Sequence, residues 1–453
     1  MKSIVKFALR ISTIVILSFR ISSKHKALII KVRPYKSENL KCPICHKKCR
    51  AYDAKNKPKL WRAMDFLCIK CYIEYAPVRV KCPKHGVHVQ YIPWARHNSV
   101  FTKPFEDWVA YLAVQCTKSA VSALARINWR TVGNICERVY GDLEKQRGAG
   151  RFDNLKRIGI DETSYKTGHK YMTVIVDHDT ARLVWAHPGK GSATLELFFE
   201  QLTKEQRSSI EVITADGARW IKKVVKKYCK EAIYCMDPFH VVSWMNDALD
   251  EVRRQEWNAA KAASNALKPS KRKKAGRPPK IEQSKEYKEA AEAAKAIKKT
   301  RWALLKGYEN LTEAQEQKIK GLKNTADNHL FKSWEFKEDL RSIFQCHDVD
   351  EAEDMLDDWL HRAAYCKIKP VVEVEKKIRR RKNDVLQAIA LGLGNGRIEA
   401  INNKIKVTIK MGYGFRNTDN LIALLMLKCS DIQPQLPFMT AKDFANIKPE
   451  KAA

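Results

Sequence analysis

The chain has 453 residues, 85 of them basic against 51 acidic, and a formal net charge of +34. At roughly 100–200 residues per domain this implies two to four domains, and a hydrophobic content of 45% excludes wholesale disorder. Such a charge opposes compaction and calls for a polyanionic partner. Nucleic acid fits, because neutralised phosphates release counterions; a membrane does not, since no segment supplies the roughly 20 apolar residues that span a bilayer.

Residues 1–39 resist assignment. Lys2, Lys6 and Arg10 precede an apolar run from Ile11 to Phe19 in the manner of a secretion signal, but Arg20 follows at once and no small-x-small cleavage site appears. A short amphipathic helix or strand is expected instead. Thirteen cysteines, an odd number with two C-x-x-C pairs, suit metal binding in a reducing cytoplasm better than a disulfide framework.

Residues 40–100 are rich in Cys, His and Pro, with strand-like stretches at Tyr75–Val80 and Val87–Ile92. Cys42-Pro43-Ile44-Cys45 and Cys82-Pro83-Lys84-His85 each set two soft ligands about one turn apart, as tetrahedral Zn²⁺ requires. Cys42, Cys45, Cys82 and His85 are the expected ligands of this zinc-binding module, with Cys68-Ile69-Lys70-Cys71 as an alternative second pair.

Residues 101–150 read as a helix-turn-helix: a helix over Trp108–Ala125, a break at Arg126-Ile127-Asn128, and a second helix from about Arg130 to Tyr140. Arg126, Asn128, Arg130, Thr131 and Asn134 would face a DNA groove. An ordinary helical hairpin is the plainer alternative.

From 151 to 257 the pattern changes to short β-branched runs at Ile158–Ile160, Tyr171–Val176, Leu183–Ala186, Val212–Thr214 and Ala232–Cys235. Their β-β-β-α-β-α-β order predicts a mixed sheet with helices packed on it. Two runs end in acids, Asp161 and Asp216, where an unpaired charge is costly unless a cation is present. Neighbouring strands would bring both carboxylates to one edge, and such oxygens suit Mg²⁺ or Mn²⁺, not zinc. Glu162, Asp177 and Asp237 are alternative acids; alternation points Glu162 away from the side of Asp161.

Residues 258–382 are helical and rich in Ala, Lys and Glu. Within them Lys268 to Lys280 holds seven basic residues in thirteen and no acid, which predicts an exposed arm. Its Arg277 and Lys280 resemble a minor-groove hook, with a solvated linker as the plainer reading. Residues 383–435 regain apolar periodicity before a basic tail at 436–453. There Glu399, Asn402, Asn403 and Lys406 share one helical face, and Ile398, Ile401 and Ile405 the packed side. Glu399 would be a third acid, and Asn402, Asn403, Lys404 and Lys406, with Arg397, would hold a phosphate backbone.

Taken together, these motifs resemble the ISL-three-type family of bacterial insertion-sequence transposases. The likeness runs from about residue 40 to about 430. It passes through Glu74 to Val87, Ile160-Asp161-Glu162-Thr163-Ser164, Ala215-Asp216-Gly217, Met236-Asp237-Pro238-Phe239-His240, Asn395 to Lys406, and Gly412-Tyr413-Gly414-Phe415-Arg416. It implies an α/β fold with an RNase H-like mixed-sheet catalytic core, a helical insertion, a preceding zinc-binding module and a helix-turn-helix. It also implies a DDE triad of Asp161, Asp216 and Glu399 working with Mg²⁺ (or Mn²⁺), with His240 nearby. Implied partners are double-stranded DNA, as terminal inverted repeats and as target, and further copies of the chain assembled on that DNA in a bacterial cytoplasm, at the nucleoid. A non-catalytic DNA-binding repressor or domesticated relative is the alternative, and a nuclease that cuts without joining is a third reading.

Overall fold

The computed structural model describes residues 2–53, 57–267, 284–323, 328–392 and 396–438. The N-terminal segment forms helix α1 (Lys2–Leu9) and a hairpin, β1 (Ile14–Ser22) and β2 (Ala27–Pro34). Five strands follow: β3 (Arg50–Asp53), β4 (Lys59–Phe66), β5 (Ile69–Tyr75), β6 (Arg79–Cys82) and β7 (Gly86–Val89). They sort into two sheets of order β1-β2-β5-β4 and β3-β6-β7. The leader-like apolar run is therefore a sheet strand, and Ile14, Ile16, Ile30, Trp61, Ile73 and Trp94 share one core. The strand expected over Tyr75–Val80 is split at Ala76–Val78, where Pro77 has no N–H to offer a ladder. That break sends β5 and β6 into different sheets.

The expected helix over 108–125 is two helices, α2 (Lys103–Gln115) and α3 (Lys118–Ala125), followed by α4 (Trp129–Arg147). The break falls at Cys116-Thr117 because the Thr117 hydroxyl caps α3, accepting from the Ala120 amide at 3.2 Å. Arg126, left-handed at φ 54°, ends α3, and the Asn128 side chain caps α4. Val109, Val121, Ile135 and Val139 form the core of this unit.

A buried ion cluster ties the unit to the preceding loop. Arg96 donates to Asp107 at 2.6 Å and Asp142 at 2.7 Å and faces Glu106 at 3.2 Å. Glu106, fully buried, also accepts from Arg138 at 2.6 Å and Ser99 at 2.7 Å. Glu106→Ala leaves Arg138 without this acid and Arg96 with only Asp107 and Asp142. The expected loss is about 3 kcal/mol, the low end for breaking a buried pair, read as a lower urea midpoint for the full chain; Glu106→Gln is expected to lose less.

The central sheet has five strands: β8 (Arg157–Lys166), β9 (Lys170–Asp177), β10 (Arg182–Pro188), β11 (Val212–Ala215) and β12 (Ile233–Met236), in the order β10-β9-β8-β11-β12. The first three are antiparallel; β11 runs parallel to both β8 and β12. Between the strands lie α5 (Ser192–Gln201), α6 (Lys204–Ser208) and α7 (Arg219–Tyr228). Ile158, Ile160 and Ile213 pack with Phe198, Phe199 and Val224 on one face. All four residues of β11 are buried, which explains why it carries no charge, and its one polar side chain, Thr214, lies 2.7 Å from His178 Nε2.

After β12 the chain leaves the sheet along α8 (Pro238–Ala266), 29 residues and about 43 Å long. Seven helices follow: α9 (Lys285–Lys299), α10 (Arg301–Leu305), α11 (Glu313–Lys323), α12 (His329–Ile343), α13 (Val349–Tyr365), α14 (Lys369–Arg379) and α15 (Lys382–Ala390). They build a separate core around Leu249, Leu340, Trp359, Val371 and Ile378. The chain then returns through α16 (Gly396–Met411) and α17 (Thr418–Cys429), whose Ile398, Ile401, Ile405, Leu421 and Leu425 cover the other face of the sheet against Met172, Val174 and Val176. No described helix is long and apolar enough to cross a membrane.

Candidate active site and metal centre

The register of the central sheet decides where the acids emerge. Ile160 of β8 pairs with Ala215, the last residue of β11, so Asp161 and Asp216 each follow that pair where β11 ends. The apolar run predicts that β8 stops at the acid; the strand instead continues to Lys166, because Asp161 still pairs with Val174 of β9. Asp161 is held on several sides. The Asn402 amide of α16 donates to its Oδ2, the Glu162 N–H donates to its Oδ1 at 2.7 Å, and His240 Nε2 lies 3.9 Å from that Oδ1. His240 is also 3.4 Å from Asp237. Burial pushes the Asp237 carboxyl up to about 6, with His240 opposing and the charges of Asp161 and Asp216 adding to the rise.

The other acids have different surroundings. Glu162 is raised by burial and pairs with Lys190 at 2.6 Å. Asp177 accepts from the Asp179 amide at 2.9 Å and pairs with Arg182 at 3.3 Å; its register partner is Ile158, three residues upstream of Asp161.

Glu399 lies in the first turn of α16, exposed, one turn before Asn402. Among the described residues, Asp161, Asp216 and Glu399 do not form a group whose oxygens all lie within 4.8 Å of one another. The helix is seated by Gly159: a Cβ there would run into the Ile398 side chain and come 3.0 Å from His178. Asn402 lies on the packed side of α16, whereas Asn403, Lys404 and Lys406 are exposed. Helical spacing alone groups it with those residues; the Asp161 carboxylate draws it inward. The Arg397 side chain and the arm bearing Arg277 and Lys280 lie outside the described residues.

Sequence reasoning missed the brace around Asp216. Tyr234 donates to the Asp216 carbonyl at 2.6 Å, and Arg381 donates to the Gly217 carbonyl at 2.8 Å while lying over the Trp244 ring. The Asp216 carboxylate accepts from the Ala218 amide at 2.9 Å, and Lys222 pairs with Asp384 at 2.6 Å. Arg381 and Asp384 come from the helical body, more than 160 residues away, and no local pattern marks them.

At the other end of the chain, the knuckles converge. Cys45 and Cys82 sulfurs are 3.8 Å apart, and His85 Nδ1 is 3.6 Å from both Cys42 and Cys82 sulfurs. A tetrahedron with metal–sulfur bonds of about 2.3 Å has edges of about 3.8 Å. The four ligand atoms thus have the spacing that Zn²⁺ needs, and they are the one such group among the described residues. Burial raises the Cys82 thiol, but the Lys84 and His85 amides and the His85 ring outweigh it and bring it down to about 6, which favours the metal-binding thiolate. Cys71, by contrast, is buried in β5 with its thiol pushed up to about 12, and Cys68 sits in an exposed turn.

In the helical unit, Arg126 pairs with Asp65 and donates to the Cys68 carbonyl at 3.1 Å. Asn128 uses its oxygen to cap α4, accepting from the Arg130 amide at 2.9 Å. Thr131 is half-buried; Arg130 and Asn134 are exposed along the start of α4.

Two family models match this chain. One, the ISL3 DDE model described as a transposase, covers residues 158–425; the other, the helix-turn-helix domain of transposase family ISL3, covers 92–140. The chain is similar to the transposase for insertion sequence element IS1557 of two Mycobacterium tuberculosis strains, with 42% identity over 410 residues, 90% of each chain. It also resembles the transposase for insertion sequence element IS1001 of Bordetella parapertussis, 21% identical over 338 residues, 74% of this chain and 75% of that one.

Proposed function

The chain belongs to the ISL3 family of transposases, and from that premise we propose that Asp161, Asp216 and Glu399 form its catalytic triad. It is a DNA-binding, DNA-cleaving transposase. In our reading it recognises the terminal inverted repeats of an insertion sequence, cuts them and transfers the cut strand to target DNA. The observation that carries this reading is the Ile160–Ala215 pairing, which sends two carboxylates to one sheet edge beneath the helix bearing a third. The strand order, three antiparallel and two parallel with helices on both faces, supports an RNase H-like core.

Oxygen donors of this kind fit Mg²⁺ or Mn²⁺. When bound, such an ion supplies Lewis-acid polarisation of the phosphate and a more acidic water. The residues' own part is positional. Asn402 fixes the rotamer of Asp161, the Ala218 amide fixes that of Asp216, and Tyr234 and Arg381 hold the backbone beneath it. Glu399 supplies the third carboxylate, His240 steadies the Asp161–Asp237 pair, and Asn403, Lys404, Lys406 and Arg397 hold the backbone of the strand being cut. Cleavage leaves a 3′-hydroxyl, the nucleophile for joining. Cys42, Cys45, Cys82 and His85 hold a structural Zn²⁺. Acting on two ends at once, the chain works as a homo-oligomer assembled on DNA at the bacterial nucleoid.

The test is a duplex carrying the terminal repeat, incubated with the full chain and Mg²⁺, together with a pre-cut end offered to target DNA. Nicking at the repeat boundary and joining of the pre-cut end are expected. Binding without cleavage in either Mg²⁺ or Mn²⁺ would reduce the protein to a DNA-binding module, and cleavage without joining would make it a nuclease.

A further inference from the structure

The motif Gly412-Tyr413-Gly414-Phe415-Arg416 has no part in the site described above; it closes α16, where the Gly414 amide donates to the Ile409 carbonyl at 3.1 Å. Tyr413 is left-handed at φ 48° and 99% exposed. A left-handed residue commonly follows a helix C-terminus in this way, and here the conformation leaves the ring wholly in solvent. Gly414 has φ 89°, and a Cβ on Gly412 would come 2.7 Å from the Phe415 ring. Phe415 is the anchor: it packs into the core beneath α17, and the Lys118 ammonium lies 4.2 Å from its ring centre. The turn is built to tuck one aromatic in and thrust the other out.

Tyr413 stands at the mouth of a cleft of about 1120 Å³ between the start of α4, the β8–β9 turn and this motif. The cleft walls carry Lys118, Arg130, Lys166 and Arg416 and no acidic side chain. A second ring, Trp129, 51% exposed, also lines the cleft. Cations without acids select an anion, and exposed ring faces select a flat apolar partner; a nucleotide is both. A cavity of this size suits one or two nucleotides and is too small for a stretch of duplex.

Strand β8 and helix α16 connect the cleft to the candidate triad. Lys166 lies five residues beyond Asp161, about 17 Å along β8, and Met411 twelve beyond Glu399, about 18 Å along α16. At about 3.4 Å per nucleotide, that is about five nucleotides of duplex.

We propose that this cleft receives an unpaired base of the bound DNA, about five nucleotides from the scissile phosphate. The base stacks on Tyr413 and Trp129, and Arg130, Lys166 and Arg416 meet its flanking phosphates. The proposal rests on the transposase reading for its DNA, and its five-nucleotide spacing, though not the cleft itself, on the places of Asp161 and Glu399.

The test uses the full-length Asp161→Asn protein without added divalent ion, and terminal-repeat duplexes carrying one mismatch at each of the ten positions nearest the cut. A mismatch removes the cost of unpairing, so at one or two adjacent positions about five from the cut the affinity should rise about tenfold. Tyr413→Phe should keep that gain and Tyr413→Ala should abolish it. No gain at any position, a gain that survives Tyr413→Ala, or one lost in Tyr413→Phe would overturn the proposal. Failure of the triad assignment would leave a Tyr413-dependent mismatch gain but move it from the fifth position, whereas absence of any duplex binding would overturn both readings.

Discussion

Asp216→Asn is expected to bind terminal-repeat DNA as the wild type does and to cut it at least about a thousandfold more slowly, a rise of roughly 4 kcal/mol in the barrier. Asparagine is the informative replacement. Its side-chain oxygen can still accept from the Ala218 amide, so the turn that Asp216 closes is preserved and only the charge is lost. The same logic extends to Asp161→Asn and Glu399→Gln, with equal or larger effects. Glu162→Gln separates this triad from its nearest competitor. Glu162 already spends its charge on Lys190, so its loss should cost cleavage about tenfold or less. The measurement is single-turnover nicking alongside DNA affinity and the urea midpoint of each variant. An Asp216→Asn protein that cuts within tenfold of wild type, with its fold intact, would end the assignment.

The strands carrying these acids were legible because β8, β9 and β11 are covered on both faces, and double burial writes a continuous β-branched run into the sequence. Asp161 and Asp216 stood out as charges ending such runs. Where local pattern competed with a cap or a missing N–H, it misled. Thr117 divides a helix whose apolar periodicity runs through it, and Pro77 divides a strand whose composition does not change. Ile11 to Phe19 reads like a leader because β1 contributes Ile14 and Ile16 to a sheet whose other half lies at 59–75.

The site shows the same division more sharply. Helical spacing sets Glu399 and Asn402 on one face, away from the packed isoleucines, whereas the structure leaves Glu399 exposed and buries Asn402. Its burial depends on a carboxylate 241 positions earlier. In the brace around Asp216 the Arg381 contact spans 164 positions and the Tyr234 contact 18, and both residues look ordinary in their own segments. Side chains that position a catalytic group through long-range hydrogen bonds leave no periodic trace, whereas the strand beneath them does.

The Cys42, Cys45, Cys82 and His85 cluster, as the proposed zinc site, yields the second large effect, because little else holds its surroundings together. Strands β3, β6 and β7 are four residues each, and Val80 and Cys82 are the buried side chains among their described residues. The neighbouring four-stranded sheet has Trp61, Ile73 and Trp94 in its core. Where so little apolar surface is buried, metal binding supplies the folding energy, about 10–16 kcal/mol in isolated finger peptides. Cys45→Ser should therefore drop bound zinc from about one per chain to below about 0.2, with Cys71→Ser leaving it unchanged. Amide exchange should become fast across 79–89 in Cys45→Ser or after chelation, while 27–34, paired between β1 and β5, stays slow. Full zinc occupancy in Cys45→Ser, or continued protection of 79–89 after the metal is removed, would show that the three-stranded sheet stands without it.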